Sequence, residues 1–381
     1  MKELHEIKAA LEEVKDTTKK LALATLVKVE GSTYRRPGAR MLMSADGLIV
    51  GAISGGCLES DVFEKALQVM HTGRPCVVKY DSTSEEDLIW GLGLGCQGIA
   101  YVLIESLPVN EPNQISFVHK CLDTRFESAI ATVFNIEGES KSQIGDRLLL
   151  NSDIINHISD DELAAAVLRD TQAALQQKTS VGKQYQLIGA KVEVFIQVIG
   201  PPLSLVILGA GYDVLPVVRF GKELGWHITV VDNRQREASR KRFKEADRVK
   251  FSSPQDVLKN IEIDERTVAV VMTHNYLDDL ELLRVLLPSG LKYLGVLGPK
   301  KRTARLLQEL QEEGVIPTPE QEQSLYSPVG LDIGADNSEE IALAIIAEIQ
   351  AVTAKHQGGF LRNRTVPIHD RSIVNHQKVN G

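Results

Sequence analysis

The sequence predicts an α/β protein in which an N-terminal α+β domain precedes a Rossmann-like, doubly wound parallel sheet. Three observations predict it. From Ser204 onward short apolar runs alternate with amphipathic stretches of helical length, the pattern of a parallel sheet covered by helices. Before that point strand-like runs flank turn pairs such as Asp46-Gly47, as antiparallel hairpins do. Between the two regimes stands Gly200-Pro201-Pro202, a stiff punctuation mark. The expected divisions are 1–107 for the N-terminal domain, 108–202 for a second α+β sub-unit and connection, 203–354 for the Rossmann-like domain and 355–381 for a basic tail.

Leu4, Ile7, Leu11 and Val14 recur at helical spacing, with Lys19 and Lys20 placed to suit the negative end of the helix dipole. Leu21 to Glu30 is an apolar run too short for a typical helix and reads as a buried strand. The polar stretch from Gly31 to Gly38 is then a loop. Arg40 to Ser44 and Leu48 to Ile53 form a hairpin about Asp46-Gly47. Gly55-Gly56 opens a helix with Leu58, Val62, Ala66 and Val69 on its apolar face and Gly73 as its C-cap. Strands follow at Cys76 to Tyr80 and Ile99 to Glu105. After the break at Pro108 to Pro112 come a strand at Ala129 to Asn135, a helix at Asp160 to Gln177 and a strand at Lys191 to Ile199. The last domain reads as strands at 204–208, 227–232, 248–251, 267–273 and 292–297, and an apolar helix at Ser338 to Val352. No internal repeat is evident along the chain.

Composition narrows the function. Of the 381 residues 43% are hydrophobic and 25% charged, so the chain is neither disordered nor fibrous. A net charge of −8 argues against a nucleic-acid binder with a broad basic face. No apolar run approaches the roughly 18 residues of a membrane span, and the mixed-charge start lacks a signal-peptide core. The expectation is a cytoplasmic protein with no membrane or nucleic-acid partner. Its cysteines, at 57, 76, 96 and 121, include no C-x-x-C pair for structural zinc and are expected to be thiols.

The sharpest motif is V-I-L-G-A-G-Y-D-V, in which Gly209 and Gly211 follow a strand and open a helix. Asp232 ends the next strand, 21 residues beyond Gly211. This is the dinucleotide-binding layout, in which glycines admit a pyrophosphate to a helix start and the acid bonds a ribose hydroxyl. Two departures weigh against it: Val214 stands at the third glycine position, and Asp213 puts a negative charge where phosphate would sit. The competing reading is a doubly wound domain that keeps its turn glycines without a dinucleotide. Arg234 could favour a phosphorylated ribose. His274 and Asn275 follow the fourth strand; His274 could transfer a proton or touch a ligand, and the pair could equally cap the next helix. Lys300, Lys301, Arg302 and Arg305 suit either an anion site or a solvated face.

In the first domain Gly55 and Gly56 precede Cys57 at the expected helix start, where the dipole favours a thiolate, a nucleophile and soft-metal ligand. Glu59 opposes that by its charge, and a buried small thiol is the plainer alternative. Arg35 and Arg36 lie in a rigid loop suited to phosphate. Gly95 and Cys96 belong to a second glycine-rich stretch, Gly91 to Gly98.

Taken together, V-E-G-S-T-Y-R-R-P-G-A-R-M-L, S-G-G-C-L-E, G-L-G-L-G-C-Q-G, L-G-A-G-Y-D, V-V-D-N-R, V-M-T-H-N-Y, L-G-P-K-K-R-T, G-L-D-I-G-A and S-E-E-I-A-L-A-I-I-A-E-I resemble the xanthine dehydrogenase accessory factor family, XdhC/CoxI, in that family's order from about Leu21 to Arg364. The resemblance implies an XdhC/CoxI domain joined to a Rossmann domain, usually dimeric. It implies a chaperone that binds molybdenum cofactor (molybdopterin) and delivers it, after exchange of an oxo for a sulfido ligand, to an apo xanthine dehydrogenase or related molybdoenzyme. A cysteine desulfurase is a further partner consistent with that exchange. Carried onto this chain, the resemblance makes Cys57 the expected contact with cofactor and its molybdenum. The rival from another class is an NAD(P)-dependent oxidoreductase, with Gly209, Gly211 and Asp232 on the dinucleotide and His274 as acid or base; a third reading is a nucleotide-sensing regulator, whose Rossmann domain binds NAD(P) or another nucleotide and gates cofactor release.

Overall fold

A computed structural model of the chain describes residues 2–14, 19–82, 98–108, 115, 117–118, 125–234 and 237–366. Two compact units divide between Pro201 and Pro202.

The first unit begins with helix α1 (Lys2–Glu13), which ends before Lys19 and Lys20. Then come β1 (Leu21–Gly31), β2 (Arg40–Ser44), β3 (Ile49–Gly51), α2 (Glu59–Thr72), β4 (Cys76–Asp81) and β5 (Gly98–Leu107). They form an antiparallel sheet in the order β3-β2-β1-β5-β4. Helix α2 covers one face through Val62, Ala66 and Val69 against Ala24, Leu26, Met41 and Val102. It closes on Gly73 in the left-handed region, φ 70°, where glycine carries no Cβ penalty.

The same plan is then repeated. Strands β6 (Ser128–Gly138), β7 (Arg147–Leu150) and β8 (Ile154–Asn156), helix α3 (Asp161–Gln176), and strands β9 (Val181–Leu187) and β10 (Ala190–Ile199) form a sheet in the order β8-β7-β6-β10-β9. This overturns the expectation of a chain without repeats. L-A-L-A-T-L-V-K-V-E-G in β1 corresponds to S-A-I-A-T-V-F-N-I-E-G in β6, and Thr25 pairs with Arg40 as Thr132 pairs with Arg147. Each copy bulges at one residue, Val27 and Phe134, and both bulged residues enter a shared cluster with Leu103 and Phe195. Five of these eleven positions are identical, Ala22, Ala24, Thr25, Glu30 and Gly31 with their counterparts, while the apolar positions between them are exchanged for other apolar residues at equal burial.

The two copies exchange arginines. Arg40 Nη1 donates to Gly38 O at 3.1 Å and Nη2 to Gln197 Oε1 at 2.6 Å; Arg147 Nη1 donates to Gly145 O at 2.8 Å and Nη2 to both Glu105 oxygens. Gln197 and Glu105 occupy matching positions, opposite Ile130 and Leu23. Gly38 and Gly145, at φ 97° and 98°, shape the approach.

The second unit alternates β11 (Ser204–Leu208), α4 (Val214–Glu223), β12 (His227–Asp232), α5 (Glu237–Arg242), β13 (Arg248–Phe251), α6 (Val257–Asn260), β14 (Thr267–Val271), α7 (Tyr276–Leu286), β15 (Leu294–Val296), α8 (Lys300–Glu312), α9 (Pro319–Ser324), β16 (Leu325–Tyr326) and α10 (Ser338–Thr353). The parallel sheet runs β13-β12-β11-β14-β15-β16. Leu205 and Ile207 face α4 and α10, while Val206 and Leu208 face α7 and α8, so continuous apolar strands are buried on both sides. Strand order reverses between β11 and β14, which opens a crevice at their carboxyl ends.

Candidate functional site

In the first unit the G-G-C turn stands just before α2, which starts at Glu59 rather than at Gly55-Gly56. Glu59 organises the turn. Its Oε1 accepts from Ser54 N at 2.8 Å and Ile53 N at 3.2 Å, and its Oε2 from Leu58 N at 3.2 Å and from the Ser54 hydroxyl. Burial works to raise the Glu59 carboxyl, but the donors of Ser54, together with backbone amides, outweigh it and hold the group below the usual range. Ser54 Oγ in turn accepts from Gly56 N at 3.1 Å and Leu58 N at 3.2 Å. The Cys57 thiol is exposed and donates weakly to Ser54 Oγ at 3.5 Å. Among the described residues the amides of Gly55 and Cys57 have no acceptor. Gly56, at φ 111°, has open space where a side chain would stand.

Tyr34 completes this site. Its ring lies on Gly55, where an added methyl would meet it at 3.5 Å, yet 70% of Tyr34 stays exposed. Arg35 pairs with Glu3 of α1, so that guanidinium braces the loop against α1. Arg36 closes the loop turn, its carbonyl accepting from Ala39 N at 3.2 Å. Gly95, Cys96 and Cys121 lie outside the described residues. Cys76 is half-buried, and burial pushes its thiol up. The sequence did not single out Ser54 or Tyr34, although both flank the glycines in the motifs quoted.

The matching turn of the second copy is built differently. Ser54-Gly55-Gly56-Cys57-Leu58 is replaced by Ser159-Asp160-Asp161-Glu162-Leu163. Asp160 caps α3 by accepting from Leu163 N at 3.0 Å, and Asp161 and Glu162 fill its first turn. One copy thus presents a thiol and amides unpaired among the described residues, the other a capped, acidic helix start.

In the second unit a cavity of about 360 Å³ opens at the carboxyl ends of β11, β12 and β14. Gly209, at φ 132°, is fixed by close packing: a methyl there would meet Met272 O at 2.2 Å. Val214 is fully buried at the start of α4. Asp232 is buried, accepting from Ser239 Oγ at 2.6 Å and Arg234 N at 3.0 Å. His274, at φ 58°, places Nε2 2.7 Å from Asp213 Oδ2, the partner that sequence did not supply. Asn275 is the helix cap, its Oδ1 accepting from Leu277 N at 3.0 Å and Asp278 N at 3.3 Å. Arg242, which carried no signal in the sequence, stacks on Tyr212 at 4.2 Å and donates to Ala210 O at 2.6 Å. The basic cluster at 300–305 is partly neutralised: Arg302 pairs with buried Asp279 at 2.6 Å and Arg305 with Glu309 at 3.1 Å. The described residues hold no group of three or more potential metal ligands.

Comparison with known proteins agrees with this architecture. A family model described as XdhC and CoxI family matches residues 15–81, and one described as XdhC Rossmann domain matches 205–349. A Bacillus subtilis protein named as a probable xanthine dehydrogenase subunit is 34% identical over 86% of this chain and 91% of its own. The Escherichia coli molybdenum cofactor insertion chaperone PaoD is 24% identical over 87% and 82%. A crystal structure described as a xanthine dehydrogenase from Bacillus halodurans superposes with a TM-score of 0.75 at 30% identity, covering 95% of this chain and 98% of that one. With both halves matched in order, the chain belongs to the XdhC and CoxI family.

Proposed function

We propose that this protein is a molybdenum cofactor insertion chaperone serving a xanthine dehydrogenase-type molybdoenzyme, a reading supported by the relatives named above. The observation that carries it is the turn at Gly55–Cys57. An exposed thiol, two amides without acceptors among the described residues and an open face beside Gly56 suit a cargo that is anionic at one point and thiophilic at another. Molybdenum cofactor combines a phosphate with a metal that takes sulfur ligands. In this reading Cys57 holds the metal end, the turn amides hold an anionic oxygen, and the Tyr34 ring offers a stacking face for the pterin. Glu59 binds nothing of the cargo; it keeps the turn in shape. We place the protein in the cytoplasm as a homodimer, receiving cofactor whose sulfido ligand a cysteine desulfurase supplies.

A nicotinamide-dependent oxidoreductase is the weaker reading, because its acid or base, His274, is bound to Asp213 beside Gly211. The test is anaerobic binding of molybdenum cofactor to the wild-type chain and to Cys57→Ser, read as molybdenum retained after gel filtration. Retention that falls at least about tenfold in Cys57→Ser, with an unchanged melting temperature, is expected. Equal retention by both proteins overturns the role of Cys57. No retention by either, beside reduction of a substrate with NADH or NADPH, installs the oxidoreductase.

A further inference from the structure

We propose that the cavity at the carboxyl ends of β11, β12 and β14 is a site for an unphosphorylated ribonucleoside, closed to phosphorylated relatives including NAD and NADP. The second glycine of a dinucleotide turn exists so that a pyrophosphate can approach the backbone. Here that approach is filled: a methyl on Gly211 would meet Asp213 Oδ1 at 2.3 Å. The carboxylate is held in place by His274, 2.7 Å away, and His274 takes a left-handed conformation that a non-glycine residue keeps only under firm constraint. Whatever the charge on His274, the space for phosphate is occupied by a carboxylate. Of the two arginines that line the cavity among the described residues, Arg242 is stacked on Tyr212 and bonded to Ala210 O, and Arg234 follows Asp232, to which its backbone amide donates.

The ribose end of the cavity is intact. Among the described residues each oxygen of Asp232 carries one protein donor, while a carboxylate offers about four acceptor sites, so a vicinal diol can still bond there. Ser252, Ser253 and Pro254 line the far wall beside Val257, giving polar and apolar surface for a base. The cavity therefore keeps the nucleoside half of a dinucleotide site and has lost the phosphate half. Gly209 needs no ligand to explain it, since packing against Met272 requires a glycine there.

Isothermal titration of the full chain with adenosine, guanosine, 2′-deoxyadenosine, AMP, NAD and NADP tests the inference. Adenosine or guanosine is expected to bind, and loss of one hydroxyl bonded to a carboxylate to weaken 2′-deoxyadenosine by about tenfold or more. AMP, NAD and NADP are expected to give no measurable heat. Asp213→Gly is expected to admit AMP while leaving adenosine unchanged. Should that variant fold poorly, Asp213→Asn removes the charge at constant shape and is expected to bring AMP into the measurable range. Binding of NAD or NADP to the wild type as tightly as adenosine, or binding of neither nucleoside, overturns the proposal.

Discussion

Replacing Glu105 by alanine removes one partner of a bidentate ion pair between the two copies in the first unit. Glu105 is 7% exposed, and the Arg147 side chain it receives is 18% exposed. Stripping the carboxylate leaves the largely buried Arg147 guanidinium with Gly145 O as its one hydrogen-bond partner among the described residues. Removing one member of a buried pair costs about 3–5 kcal/mol. For a unit of this size each kcal/mol moves the midpoint by about 2–4 °C, so its transition should fall by about 6–20 °C. Gln197→Ala is the internal control, because Gln197 serves Arg40 as Glu105 serves Arg147 but bears no charge. It deletes a hydrogen bond to a charged group, about 1.5–3 kcal/mol, and should shift the same transition less. Thermal unfolding followed by circular dichroism, with the transition assigned by both variants, is the assay. A Glu105→Ala loss below about 1 kcal/mol would refute the reasoning, since it is the size of a solvent-screened pair.

Gly209→Ala should destabilise the second unit by several kcal/mol, on the order of a strained residue plus a packing clash, because φ is 132° and Met272 O stands in the way; a midpoint within about 1 kcal/mol of wild type by denaturant titration contradicts this. Gly56→Ala meets open space and only the positive φ, so about 1–2 kcal/mol is expected in the first unit. Glu59 titrates below its ordinary range when folded; its contribution is present above the unfolded pKa and is lost as pH falls through the lowered value. Comparing Glu59→Gln with wild type across acid pH should show the wild-type advantage shrinking as pH drops, and a constant gap would count against the turn described. Tyr34→Ala should leave stability unchanged within about 0.5 kcal/mol, as its ring is largely exposed, while weakening retention of molybdenum cofactor.

The Rossmann-like half was legible because its strands are buried on both faces: S-L-V-I-L and T-V-A-V-V-M-T read as strands whatever their neighbours. The edge of the second sheet was not. Strand β8 is exposed along its whole length and β9 spells V-G-K-Q-Y-Q-L, so neither carries a burial signal, and both exist through pairing with distant strands. At the sites, single-residue chemistry was readable but pairing was not. Cys57 and its glycines stood out as a cluster, yet the contact of Tyr34 with Gly55 joins residues 21 apart, and that of His274 with Asp213 joins residues 61 apart. Arg35 looked free for phosphate because its acid, Glu3, lies on another element.

The paired architecture of the first unit has a bearing on stoichiometry. Two copies of one scaffold could have offered two equivalent receptors, yet only the first carries glycines and a thiol ahead of its helix, while the second carries Asp160, Asp161 and Glu162. One copy has become ballast and bracing, supplying Arg147, Gln197 and Phe195 to its twin's foundation. On the proposed reading a single chain therefore offers one such receptor rather than two, and the silent copy is where an engineer would write a second.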